Sequence, residues 1–188
     1  MKSQELIKVW DLPLRIFHWL LVAGFLVAYL TEDELLTVHV WAGYLVFGLL
    51  LFRLVWGFIG NDYARFSNFL CSPVKSVTYV KDVIALKAKR YLGHNPAGAA
   101  MIMLLLVSLL MTSLSGFAVY GADQNAGPLA NLVGSSNEKI WEEVHEFFAN
   151  FTLLLVLVHI AGVIVESFIH RENLAKAIWH GYKKDLDR

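Results

Sequence analysis

Of the seven histidines in this 188-residue chain, four (His18, His39, His145 and His159) lie within or at the edge of long apolar runs. An imidazole at hydrocarbon depth is costly unless bonded or bound, so its presence there points to function. His145 and His159 are 14 residues apart; on a helix they share one face, about 40° from eclipsed, with a rise of ~21 Å. They therefore serve two different depths. Imidazoles so placed either hydrogen-bond between helices or ligate a metal. The lone Cys71 excludes an intramolecular disulfide, and the chain has no Cys-x-x-Cys-His for a covalently attached c-type haem.

Positioning such groups requires long apolar elements, and the composition supplies them. The chain is 57% hydrophobic and only 17% charged, with a mean hydropathy of +0.53, which excludes a disordered chain. Sixteen Lys and Arg balance sixteen Asp and Glu, so the basic excess of a nucleic-acid binder is missing. Four runs, at about 12–30, 38–59, 97–119 and 138–169, are long enough to cross a ~30 Å hydrocarbon core as helices. The first lacks a small-residue cleavage site before Thr31 and reads as a span, not a signal peptide. The expected fold is an all-α transmembrane four-helix bundle forming a single domain over 1–188.

Fourteen of the sixteen cations fall in the N-terminus, the second connection and the tail. The first and third connections hold Lys139 alone, and Arg53 lies inside the second span. The positive-inside rule then predicts both termini and the second connection in the cytoplasm. In that connection Val77, Val80, Ile84, Ala88 and Tyr91 recur at helical spacing between lysines, which predicts an amphipathic helix on the cytoplasmic leaflet. Asn95-Pro96 is placed to cap the third span, and the tail is expected to form a short surface helix.

This topology sorts the histidines. His39 and His145 match at the outer depth, and His18 and His159 at the inner one. Each level offers two imidazoles and no further Cys or carboxylate, too few for zinc. Two imidazoles from different helices suit a b-type haem, giving two stacked bis-histidine sites. Gly43 and Gly162, one turn from His39 and His159, leave room for a flat macrocycle, although glycines also serve helix packing. Arg53 shares the face of His39 about 21 Å further in, and Arg15 shares the face of His18. Both are candidate partners of inner-haem propionates, and Lys139 is the candidate for the outer haem. Arg15 is equally placed to snorkel. Glu166 is read as a solvated helix-end carboxylate, with proton acceptance from a quinol as its other open role. His94, His170 and His180 are read as surface residues, and Trp19, Trp41 and Trp141 as core or interface aromatics.

The stretches Val9 to Trp19 (VWDLPLRIFHW), His39 to Gly43 (HVWAG), Phe52 to Gly57 (FRLVWG) and Gly93 to Ala99 (GHNPAGA), with His145 and His159, resemble the prokaryotic cytochrome b561 family. That family includes the cytochrome b subunits of nickel-iron hydrogenases. The resemblance covers nearly the whole chain. It implies a four-helix bundle with two b haems in a bacterial inner membrane, passing electrons between the quinone pool and a periplasmic redox partner. It also implies His18 and His159 on the inner iron and His39 and His145 on the outer. Hydrogenase-associated members tend to be longer, which points to another partner here, such as a c-type cytochrome.

Two functions remain open on these grounds. One is an electron conduit between quinone and a periplasmic protein. The other is an enzyme acting on a small molecule, as in relatives that oxidise superoxide and reduce ubiquinone. Outside, eight acids face Lys139, a net charge of −7, against +7 in the cytoplasmic half. Such a field repels an anionic substrate and steers a cationic protein inward, which favours the conduit.

Overall fold

Asp11 opens the first long helix by accepting the Leu14 N–H on Oδ1 (2.9 Å), while its Oδ2 accepts from Trp56 Nε1 (3.1 Å). The computed structural model describes residues 6–32, 35–134 and 137–185. Lys2, Glu5, Asp33, Glu34, Asp187 and Arg188, all counted in the charge balance above, lie outside these. The elements in order are β1 (Leu6–Lys8), α1 (Leu12–Leu30), α2 (Leu36–Ile59), α3 (Phe66–Phe69), α4 (Pro73–Ile84) and α5 (Pro96–Gln124). Then follow α6 (Ala130–Val133), α7 (Glu138–Ile169), α8 (Leu174–His180) and β2 (Tyr182–Lys184). Among the described residues the fold is all-α apart from one two-stranded ribbon.

Helices α1, α2, α5 and α7 are long and apolar enough to cross a membrane, yet only 17–33% of their most apolar stretches is buried within the protein. Leu45, Leu51, Leu104, Leu154, Ile164 and Phe168 point outward, as a lipid solvent requires. Asn95 caps α5 through the Gly98 N–H (2.7 Å), with Pro96 at its first position. No proline interrupts Tyr120-Gly121-Ala122, so α5 continues past the apolar run until Asn125 turns to φ 49°. Helix α4 has Pro73 in its first turn and the Ser72 hydroxyl accepting from the Lys75 N–H (3.4 Å). It ends at Ile84, short of Tyr91, because Leu86 adopts φ 56°. Val74, Val77, Val80 and Ile84 are exposed on it, while Ser76 and Tyr79 face inward.

The chain packs as two compact units, each taking a stretch of all four long helices. The hairpin unit comprises Leu20–Leu51 and Leu104–Leu157. Its core joins Phe25, Val46, Leu50 and Leu109, with Leu21, Tyr29, Leu106, Leu153 and Val156 packed around them. A polar seam crosses this core, where Thr152 Oγ1 lies 2.6 Å from Ser108 Oγ and 3.2 Å from Thr112 Oγ1. The seam ties α5 to α7 where no water is available to the hydroxyls.

The terminal unit comprises Met1–Trp19, Phe52–Met103 and Val158–Arg188. Strands β1 and β2 pair antiparallel within it, with Ile7 opposite Lys183. Gly181, at φ 93°, ends α8, and its carbonyl accepts the N–H groups of Val9 and Trp10. A Cβ there would stand 2.6 Å from the Trp10 carbonyl oxygen, so glycine lets the N-terminal segment dock on the tail. Apolar periodicity did not predict this ribbon, since three-residue strands carry too little of it.

Candidate functional site

In the hairpin unit, α2 and α7 bring His39 and His145 together with ring centroids 6.0 Å apart and planes at 87°. His39 Nδ1 lies 2.8 Å from the Ala28 carbonyl oxygen, and His145 Nδ1 lies 2.9 Å from that of Thr112. A carbonyl can only accept, so in both rings Nδ1 carries the hydrogen and Nε2 keeps a free lone pair. This is the tautomer a metal-bound histidine adopts, its other ring nitrogen fixed by an outer partner. With metal–nitrogen bonds of ~2 Å, two imidazoles on opposite sides of one ion have centroids roughly 6 Å apart. The pair is therefore set for one ion with two protein ligands.

The two rings share a recess, which Phe25, Gly43, Gly116 and Phe117 also line. A Cβ on Gly43 would meet nothing within 4 Å, whereas one on Gly116 would stand 2.9 Å from His145 Cε1. Glycine thus opens one wall and lets α5 approach the ligand ring on the other. Among the described residues no three His, Cys, Asp or Glu side chains form a cage for a bare ion. A cofactor that brings four ligands of its own and needs two from the protein fits this donor set, and a b-type haem is such a cofactor. Lys139 is exposed in the first turn of α7 and does not line the recess, whereas Glu32 does.

In the terminal unit His18 and His159 interact electrostatically. His18 Nδ1 is buried without a hydrogen-bond partner. Arg53 is 2% exposed. Its Nη2 donates to the Ala64 carbonyl (3.1 Å), its guanidinium lies 4.5 Å from the Phe66 centroid, and Nη1 is buried without a partner. Arg15 donates from Nη2 to the Trp179 carbonyl, leaving Nε buried and unpaired. Gly162 is exposed, with open space around it.

Three surface readings, those of His94, Glu166 and His170, are corrected here; the His170 side chain is only 12% exposed. His94 is enclosed, its ring 4.7 Å from Trp10 and 4.6 Å from Phe69, with Nδ1 buried. Burial pushes its pKa down to about 3, and Arg53, Lys183 and His159 add to the effect, so the ring is neutral near pH 7. Glu166 is only 9% exposed. It accepts from the Tyr79 hydroxyl (3.2 Å) and lies 3.1 Å from His170 Nε2. Burial and Glu166 together hold the Tyr79 phenol above its usual range. The hidden signal was the α4 connection, whose inward residue Tyr79 roofs the end of α7.

Nearby, Glu172 accepts from Arg90 on both oxygens, Oε1 from Nη2 (3.1 Å) and Oε2 from Nε (3.3 Å), and Lys183 Nζ lies 3.4 Å from Oε2. Burial alone would raise Glu172, but Arg90 and Lys183 hold it below its ordinary value. Burial lowers Lys183, against the pull of Glu172.

A family model described as prokaryotic cytochrome b561 matches residues 9–181. A relative from Azotobacter vinelandii, named probable Ni/Fe-hydrogenase B-type cytochrome subunit, is 26% identical over 98% of this chain and 92% of its own length. A protein of the same name from Cupriavidus necator is 26% identical over 99% of this chain and 90% of its own. One from Escherichia coli is 29% identical over 60% of this chain and 59% of its own length. No solved structure matches the chain at a significant level.

Proposed function

We propose that this chain, which belongs to the prokaryotic cytochrome b561 family, passes electrons between membrane quinone and a cationic periplasmic redox protein through two bis-histidine b haems. Membership makes it a multi-pass membrane cytochrome of b type that works in electron transfer. The observation that carries the finer reading is the His39–His145 pair, whose rings stand 6.0 Å apart and line one recess with both Nδ1–H groups spent on main-chain carbonyls. When bound, each haem supplies a one-electron iron centre. His39 and His145 would ligate one iron, His18 and His159 the other. The chain orients the ligands, and main-chain carbonyls fix the tautomer of His39 and His145.

Charge supports the choice of partner. Glu32, Asp123, Glu142, Glu143 and Glu146 are exposed on the hairpin unit, with Lys139 the sole cation among its residues. A cationic c-type cytochrome or hydrogenase-like protein would be steered to that face, which the cation distribution puts in the periplasm of a bacterial inner membrane. Helix α4 would lie on the cytoplasmic leaflet with Val74, Val77 and Ile84 towards lipid.

The test begins with the pyridine haemochromogen of the purified protein, expected to give two haem b per chain. Stopped-flow oxidation of quinol-reduced protein by a cationic c-type cytochrome should then slow steeply with ionic strength. Oxidation insensitive to salt, or rapid superoxide consumption with no protein partner, would favour the small-molecule enzyme instead.

A further inference from the structure

Arg53 is a buried cation that lacks an anion. Among the described residues no carboxylate stands within ion-pair distance of it, and its Nη1 has no acceptor. Asp11, whose charge acts on Arg53, already spends its oxygens on the Leu14 N–H and Trp56 Nε1. A second nitrogen in the same unit, Nδ1 of His94, is also buried without a partner.

The two side chains share a shelf. Phe69 lies 4.6 Å from the His94 ring and 6.0 Å from the Arg53 guanidinium carbon, and Phe66 and Trp10 complete the aromatic support. His94 also interacts electrostatically with both Arg53 and His159. Buried polar groups left unpaired are costly, and Arg53 Nη1, joined by His94 with its hydrogen on Nδ1, makes a fixed shelf of donors beside a cofactor ligand, an anion receptor awaiting its anion. A carboxylate meets that need. It accepts two hydrogen bonds from a guanidinium edge and retains lone pairs for an imidazole N–H.

We infer that His94 and Arg53 together hold a propionate of the haem ligated by His18 and His159, an inference that rests on the bis-histidine reading above. His94 is a positioning residue here and takes no part in ligating iron. An uncharged quinone carbonyl would leave Arg53 without a counter-ion, so the carboxylate is the better occupant.

The experiment is an optical redox titration of the full-length haem-loaded protein, with low-temperature electron paramagnetic resonance of the oxidised form. In His94→Ala both haems should remain, both low-spin, while the midpoint potential of one falls and that of the other stays. Losing a donor leaves propionate charge less compensated and so favours ferric iron. His94→Gln, which keeps an N–H donor, should recover most of that fall. Arg53→Gln should lower the same haem, and the double variant should fall by less than the sum of the two. His94→Phe keeps the ring packing without the donor and gives the same reading if the alanine variant does not accumulate.

Unchanged potentials in the His94 and Arg53 variants would overturn the inference. A haem turned high-spin would do so too, by making His94 an axial ligand. So would weakened quinone binding at unchanged potentials, which would assign the donors to quinone. Wild-type protein without two haems would instead sink the bis-histidine reading, before any variant is made.

Discussion

The two histidine pairs solve one problem in opposite ways. In the hairpin unit each ligand ring is held by a main-chain carbonyl, from Ala28 for His39 and from Thr112 for His145. In the terminal unit His18 Nδ1 has no such partner, and Arg15, Arg53 and His94 also carry buried nitrogens without acceptors. The first site is organised by helix backbone, and on the proposed reading only the haem is needed to complete it. The second is an excess of donors, balanced only when an anionic ligand arrives. Pre-organised ligands lower the ordering cost of binding, so the hairpin site should hold its geometry without cofactor and the terminal site should not.

Removing ligands tests this division most severely. His39→Ala or His145→Ala should abolish one of two haems while leaving most of the other, and His18→Ala or His159→Ala should do the reverse. Haemochromogen stoichiometry on folded, monodisperse protein reads the outcome. Equal loss of both haems from any single variant would break the pairing.

The next largest effect is expected in the terminal unit, where Glu172 joins Arg90 and Lys183 with side chains only 4–16% exposed. Arg90→Ala leaves that carboxylate under-compensated and should cost about 2–3 kcal/mol. The acid dependence follows from the same contacts. Glu172 titrates below its ordinary 4.5 in the folded chain, so its stabilisation is complete above that pH and is lost as pH falls through the lower folded value. Proteolytic release of the tail against pH should show this step in wild type and lose it in Arg90→Ala. An unchanged step would assign the acid sensitivity elsewhere.

Gly116→Ala moves the test to the hairpin unit. Its Cβ would press on His145 Cε1 from 2.9 Å, and forcing the ring aside should cost about 1–2 kcal/mol. Thermal unfolding should fall accordingly, and only the haem held by His39 and His145 should change its spectrum. Gly43→Ala opens onto empty space. It should leave the cofactor-free protein as stable as wild type and weaken cofactor retention.

The contrast between the units also marks how far sequence reading reached. Spans were legible because ~20 apolar residues have one cheap solution in a bilayer. The depth pairing of His39 with His145 was legible because helices convert residue number into height, and the two rings do meet. What escaped detection depended on irregular chain. His94 stands just before the Asn95 cap, beyond Tyr91, the last periodic residue of the connection, so nothing in its neighbours signalled the enclosing Trp10 and Phe69. Glu166 looked like a solvated helix end because its partner Tyr79 comes from α4, 87 residues earlier. Lys139 is the only outer cation, and charge by itself does not say whether a side chain lines the recess.

The finest test concerns the hydrogen bonds that tune one ligand. Ser115 Oγ donates to the main-chain oxygens of Met111 (2.8 Å) and Thr112 (3.0 Å) and stands 3.3 Å from His145 Nδ1. Its hydrogen is thus engaged by carbonyls, so towards the imidazole the oxygen acts as a second, weak acceptor beside the Thr112 carbonyl. Accepting from Nδ1–H pushes electron density onto Nε2, and a more basic ligand favours ferric iron. Ser115→Ala removes only the weaker of the two acceptors, so the midpoint potential of the His39–His145 haem should rise. A weak hydrogen bond of ~0.5 kcal/mol corresponds to about 20 mV for one electron. The terminal-unit haem should not move. A shift shared by both haems, or a fall, would show that main-chain and hydroxyl acceptors do not govern this ligand, and the division between a backbone-organised site and a ligand-completed one would lose its basis.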